Sequence, residues 1–103
     1  MIINVSYQVD GTIAPIATMQ VDFKYSIDEE EALSLVKGFA RASIERFALT
    51  DSNRSDRIWT VDMLTDPGTE LGSEVTYFAT EHRTASGRVI VSFDGVHHEL
   101  EAD

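Results

Sequence analysis

His82, His97 and His98 are the three side chains of this 103-residue chain whose ordinary pKa lies near neutrality. They are therefore the natural candidates for proton transfer or metal ligation. On a strand, neighbouring side chains point to opposite faces, so His97 and His98 cannot chelate one ion without a bulge. His97 and Glu99 do share a face, and Glu81-His82 would join them if the two strands lay side by side. Two ligands still fall short of the three protein ligands of a catalytic zinc. The expectation is packed or solvated histidines and no metal. A small-ligand or enzymatic domain using His82, His97 and Glu99 stands as the alternative.

Other chemistry finds less support. Cysteine is absent, which removes disulfides, thiolate metal sites and a cysteine nucleophile. No serine stands in a G-x-S-x-G elbow. "GTELG" lacks the Lys-Ser or Lys-Thr of a phosphate loop. "DSNRSD" lacks the glycine and the distal glutamate of a calcium loop. No cofactor and no catalytic residue is expected.

The elements that position these groups follow from hydropathy period. Ile3, Val5, Tyr7 and Val9 alternate with polar residues as in a half-buried strand, and Asp10-Gly11 supplies a turn. Met19, Val21, Phe23 and Tyr25 alternate in a second strand. "SIDEEEALSLVK" then opens a helix of about twenty residues, ending near Ala48. Ser26 and Glu29 stand in the relation of a capping box. Val36, Phe39, Ala40 and Phe47 make its apolar side, while Glu30, Lys37, Arg41 and Glu45 lie opposite. The acidic run Asp28-Glu29-Glu30-Glu31 suits the positive end of the helix dipole. Trp59, Val61 and Met63 alternate in a third strand, Asp66-Pro67-Gly68 turns the chain, and "SEVTYFAT" forms a fourth. Asp94-Gly95 predicts a tight hairpin between two last strands, pairing Phe93 with Val96 and Arg88 with Glu101.

The expected fold is thus α+β and one domain over residues 1–103. It is a single antiparallel sheet of five or six strands, in the order β-β-α-β-β-β-β, with one helix packed on a face. The chain lacks a basic leader and a membrane-length apolar run, so residence in the cytoplasm is expected. The Asn53-Arg54-Ser55 sequon then carries no glycan.

Charge is the unusual term. Eighteen carboxylates against eight Lys and Arg leave −10. Residues 1–57 carry nine acids and six bases, whereas residues 58–103 carry nine acids and only Arg83 and Arg88. A field of this sign repels phosphates and anionic membranes and attracts basic proteins. The sequence therefore points away from direct nucleic-acid binding and toward an acidic surface that docks on a basic, nucleic-acid-handling protein. The candidate contact residues are Asp62, Glu70, Glu74, Glu81, Glu99 and Glu101; Trp59, in an apolar run, reads first as core and stands with them as an apolar anchor if it is exposed. Two functional classes fit this size, charge and lack of cysteine: a phage inhibitor of the anti-CRISPR or anti-restriction kind, and an immunity protein against a nuclease toxin. That fit is one of size and charge, not of motif. A homo-oligomer, with Trp59 or the outward member of Tyr77/Phe78 in its seam, is the remaining expectation.

Overall fold

The structure, a computed structural model, describes residues 1–10, 14–51 and 55–101, with side chains as far as Phe93. Five strands and one helix follow the order β1 (Ile2–Val9), β2 (Ala17–Asp22), α1 (Glu29–Thr50), β3 (Arg57–Thr65), β4 (Ser73–Arg83) and β5 (Val89–Glu101). The strands form one sheet in the order β2-β1-β3-β4-β5, with every neighbouring pair antiparallel. Because β2 and β3 both flank β1, they run parallel to each other and require a crossover. Helix α1 is that crossover.

Alternation fixes which face of each strand is buried. Ile3, Val5, Tyr7 and Val9 of β1 meet Trp59, Val61 and Met63 of β3 and Val75, Tyr77 and Ala79 of β4 in one core. Against it α1 lays Ala32, Leu33, Val36, Ala40 and Ile44, a stripe spaced by three and four residues. Three of the helix's six buried residues are alanines, so the helix axis can approach the sheet closely. The stripe is offset from the one expected: Phe39 is 48% exposed, and Ile44 takes the inward position. Tyr25 also lies outside the core, because β2 ends at Asp22 and, of the two aromatics beyond it, Phe23 alone turns inward.

The helix starts two residues later than a Ser26 cap implies. Asp28 is the N-cap, and its side chain accepts a hydrogen bond from the Glu31 N–H at 2.9 Å. Glu29 reaches back to the sheet and accepts hydrogen bonds from the Ser73 and Thr65 hydroxyls. Asp28, Glu30 and Glu31 of the acidic run remain exposed, and only Glu29 is half-buried. The other end has no base in the last turn. Arg83 of β4 supplies one instead, donating to the Ala48 carbonyl at 2.8 Å. Both ends of α1 are thus fastened to β4.

The expected final hairpin does not form. β5 runs through Asp94-Gly95 as one strand of 13 residues. Its register pairs Ala79 with Phe93 and Tyr77 with His97, so Asp94, Gly95 and Val96 face the single residue Phe78. The turn-prone dipeptide is spent on an irregularity inside a strand, a place where glycine's freedom is equally useful. The sheet accordingly has five strands, and Arg88 and Glu101 stand at opposite ends of β5 instead of paired. The Asp66-Pro67-Gly68 turn does form: Asp66 and Gly68 take positive φ values of 41° and 83°, and the Asp66 carboxylate accepts from the Ile2 N–H.

Candidate functional site

Helix α1 covers one face of the sheet, and among the described residues no element covers the other. The outward positions form rows that the register defines. Gln20, Asn4, Leu64 and Glu74 lie in one row, and Thr18, Ser6, Asp62 and Thr76 in the next. Gln8, Thr60 and Phe78 follow, then Ile58, Thr80 and Ser92. Asp22 stands at the corner beside Ile2. The face is thus a polar, Thr-rich plane with carboxylates at Asp22, Asp62 and Glu74. Its apolar points are Phe78, Leu64 and the half-exposed Ile58. Asp62 is held by the Thr76 hydroxyl at 2.6 Å, and Gln20 donates to Asn4 at 2.9 Å. Asp22 pairs with Lys24 at 2.6 Å. No Lys or Arg occupies an outward strand position among the described residues.

Five of the seven expected contact residues have described side chains, and the sheet divides them. Asp62 and Glu74 share the outward face. Glu70 is exposed in the β3–β4 connection. Glu81 and Trp59 are on the inner face, 0% and 1% exposed, and a partner cannot reach them. Strand parity is the reason: Val75, Tyr77, Ala79 and Glu81 all point inward, as do Trp59, Val61 and Met63. Glu99 and Glu101 lie outside the described side chains. Of the two adjacent aromatics, Tyr77 is inward and Phe78 outward.

Glu81 is the centre of an interior charge cluster that charge counting along the chain does not reveal. Its carboxylate accepts from the Trp59 indole N–H at 2.9 Å, from Arg57 at 3.1 Å, and pairs with Arg83 at 3.1 Å. Arg57 also bonds Asp51 at 2.6 Å and lies over the rings of Phe47 and Trp59. Burial alone would lower the Arg57 pKa, but the hydrogen bonds to Asp51 and Glu81 outweigh it and hold it above its usual value. Two cations surround one buried carboxylate, and each has a second acceptor, Asp51 for Arg57 and the Ala48 carbonyl for Arg83. Parity extended along "SEVTYFATEHR" would have placed Glu81 inside with Arg83.

The histidine reading loses its geometry where it is described. His82 is exposed and its Nδ1 lies 2.8 Å from Asp56, while Glu81 points to the opposite face. The Arg83 backbone N–H, followed by His82, holds the Asp56 carboxyl below its usual pKa. The side chains of His97, His98 and Glu99 are outside the described residues, as is part of the "DSNRSD" loop and the Asn53-Arg54-Ser55 sequon. Among the described residues no three His, Asp or Glu side chains converge as metal ligands, and no helix is long and apolar enough to cross a membrane. A cavity does exist, between β1, β2, β3 and α1, but no histidine is among its lining residues.

No protein-family model, no curated protein and no solved structure matches this chain.

Proposed function

We propose that the protein is a non-enzymatic binding module whose uncovered sheet face docks on a basic surface of a nucleic-acid-handling protein. The observation that carries this reading is that no Lys or Arg occupies an outward strand position among the described residues, the one flanking base, Lys24, being paired with Asp22 at the corner. Arg57 and Arg83 are committed to Glu81 in the interior. Lys37 and Arg41 lie over the Tyr77 and Phe93 rings on the helix side. Among the described residues Asp62 and Glu74 therefore have no Lys or Arg beside them on the plane, and Phe78 replaces Trp59 as the apolar anchor.

Spatially the acidity is not confined to the strands. Glu30, Glu31 and Glu45 lie on the helix, and Glu29 and Glu81 are spent on internal contacts. The docking face is thus narrower than a division of charge along the chain implies. Three carboxylates are sparse beside duplex DNA, with one charge per about 1.7 Å of axis. The reading is accordingly of a plug that covers a basic groove, not of a replica of the phosphate backbone. An inhibitor of a nuclease or an immunity protein acts in this way.

The test is affinity capture from host lysate at low salt, using the wild type and two charge-matched triple variants. Reversal of Asp22, Asp62 and Glu74 to lysine is expected to abolish capture of the partners held by the wild type. Reversal of Glu30, Glu31 and Glu45 is expected to retain them. Equal loss in both variants would show that net charge, not this face, governs retention.

A further inference from the structure

We propose that the cavity between β1, β2, β3 and the second half of α1 is a binding site for a small neutral aromatic molecule bearing a hydroxyl, of the phenol class. The cavity is about 240 Å³ and is walled by Tyr7, Ile16, Met19, Ile44, Phe47 and Trp59, with Ser43 and Thr18 as polar groups. The Phe47 and Trp59 rings meet edge to face, 5.4 Å apart at 84°, which offers an entering ring both a face and an edge. This wall is pre-organised, because the Trp59 N–H is fixed by Glu81 and both rings are backed by Arg57.

Size and chemistry narrow the occupant. Drug-sized sites begin near roughly 300 Å³, and an apolar cavity of about 150 Å³ already admits benzene. One substituted ring is the matching scale. No lining residue is charged, and the chain carries −10 overall, so an anion is disfavoured. The specific handle is Tyr7. Its ring is buried, and its hydroxyl donates to the Met19 sulfur at 3.6 Å, a weak acceptor. Burial pushes the Tyr7 phenol above its usual pKa, against the opposing effect of a hydrogen bond with Ser43. It is therefore a neutral donor throughout the physiological range. A ligand hydroxyl beside it would accept the proton that now points at a thioether.

The sole tryptophan lies in the wall, so its emission reports occupancy. The experiment titrates 4-methylphenol into the full chain, following Trp59 emission excited beyond the absorption of the phenol, with saturation-transfer NMR on the ligand. A saturable response is expected. Ser43→Phe, placed at an exposed helix position, or Ala17→Phe from the opposite wall, should fill the cavity and remove the response while far-UV circular dichroism stays unchanged. Tyr7→Phe should weaken 4-methylphenol by about three- to tenfold, the share of one hydrogen bond, and leave toluene binding unaltered. 4-Methylbenzoate should not bind. No saturable response in the wild type, or equal binding in a folded filled variant, would overturn the site. Equal weakening of toluene and 4-methylphenol by Tyr7→Phe would overturn the role given to its hydroxyl.

Discussion

Replacing Glu81 by alanine is the severest single change the structure offers. It leaves two guanidinium groups and the Trp59 N–H in the interior without their shared acceptor. Removing one member of a buried ion pair costs about 3–5 kcal/mol. Here the lower end applies, since Arg57 keeps Asp51 and Arg83 keeps the Ala48 carbonyl. About 3 kcal/mol is a large part of the roughly 5–15 kcal/mol available to a domain. With about 4–8 °C lost per kcal/mol at this size, the melting temperature should fall by roughly 12–24 °C. Urea denaturation followed in parallel by circular dichroism and Trp59 emission measures the cost directly. Glu81→Gln keeps one acceptor oxygen and should cost less, about 1–3 kcal/mol. Replacing Arg57, Glu81 and Arg83 together by Met, Leu and Met should also cost less than Glu81→Ala, because no buried guanidinium is then stranded and the Asp51 carboxylate that loses Arg57 is partly exposed. A cost below about 1 kcal/mol for Glu81→Ala would refute the reasoning, since only a solvated carboxylate is that cheap to lose.

Three further outcomes follow from particular contacts. Asp28→Ala removes the helix N-cap and should cost about 0.5–2 kcal/mol in urea denaturation, whereas Ser26→Ala should be near neutral. Gly72→Ala would place its Cβ 2.5 Å from the Thr65 carbonyl oxygen and 2.8 Å from that of Asp66. Backbone must move to admit it, so a lowered melting temperature is expected, while Gly38→Ala meets nothing and should be neutral or stabilising. The Tyr7 pKa is raised by burial, so the folded state holds its proton more tightly than the unfolded state. Its contribution is complete below the unfolded tyrosine pKa of about 10 and is lost as pH rises through the folded value. Alkaline titration of stability should therefore slope downward, and Tyr7→Phe should flatten that slope.

What the sequence made legible is what period alone encodes. β1 and β3 were plain because Ile3-Val5-Tyr7-Val9 and Trp59-Val61-Met63 alternate without interruption, and their inner face is the core. The helix was legible in extent, but its face was misjudged at Phe39, because a large apolar residue outweighs the alanines that in fact touch the sheet. The hairpin was misread because Asp-Gly carries a turn preference that strand pairing overrode: β4 is long enough to pair with β5 on both sides of the irregularity. Glu81 was misassigned for a related reason, whereas the core reading of Trp59 holds and its alternative role as an anchor does not. Residue type was weighed without strand parity, and parity decides that a carboxylate between two inward arginines is interior. The cavity had no sequence signal, since its walls come from four elements, β1, β2, β3 and α1, that only the fold brings together.

The proposed docking face is tested most directly by the association rate of a captured partner with the protein, measured against ionic strength. The account predicts a rate that falls steeply with salt, as charges beyond the Debye length of about 10 Å at 0.1 M are screened. It also predicts that Asp62→Lys with Glu74→Lys slows association at low salt and flattens that dependence, while Glu30→Lys with Glu45→Lys leaves both largely as they were. Identical salt dependence in the two double variants would contradict it.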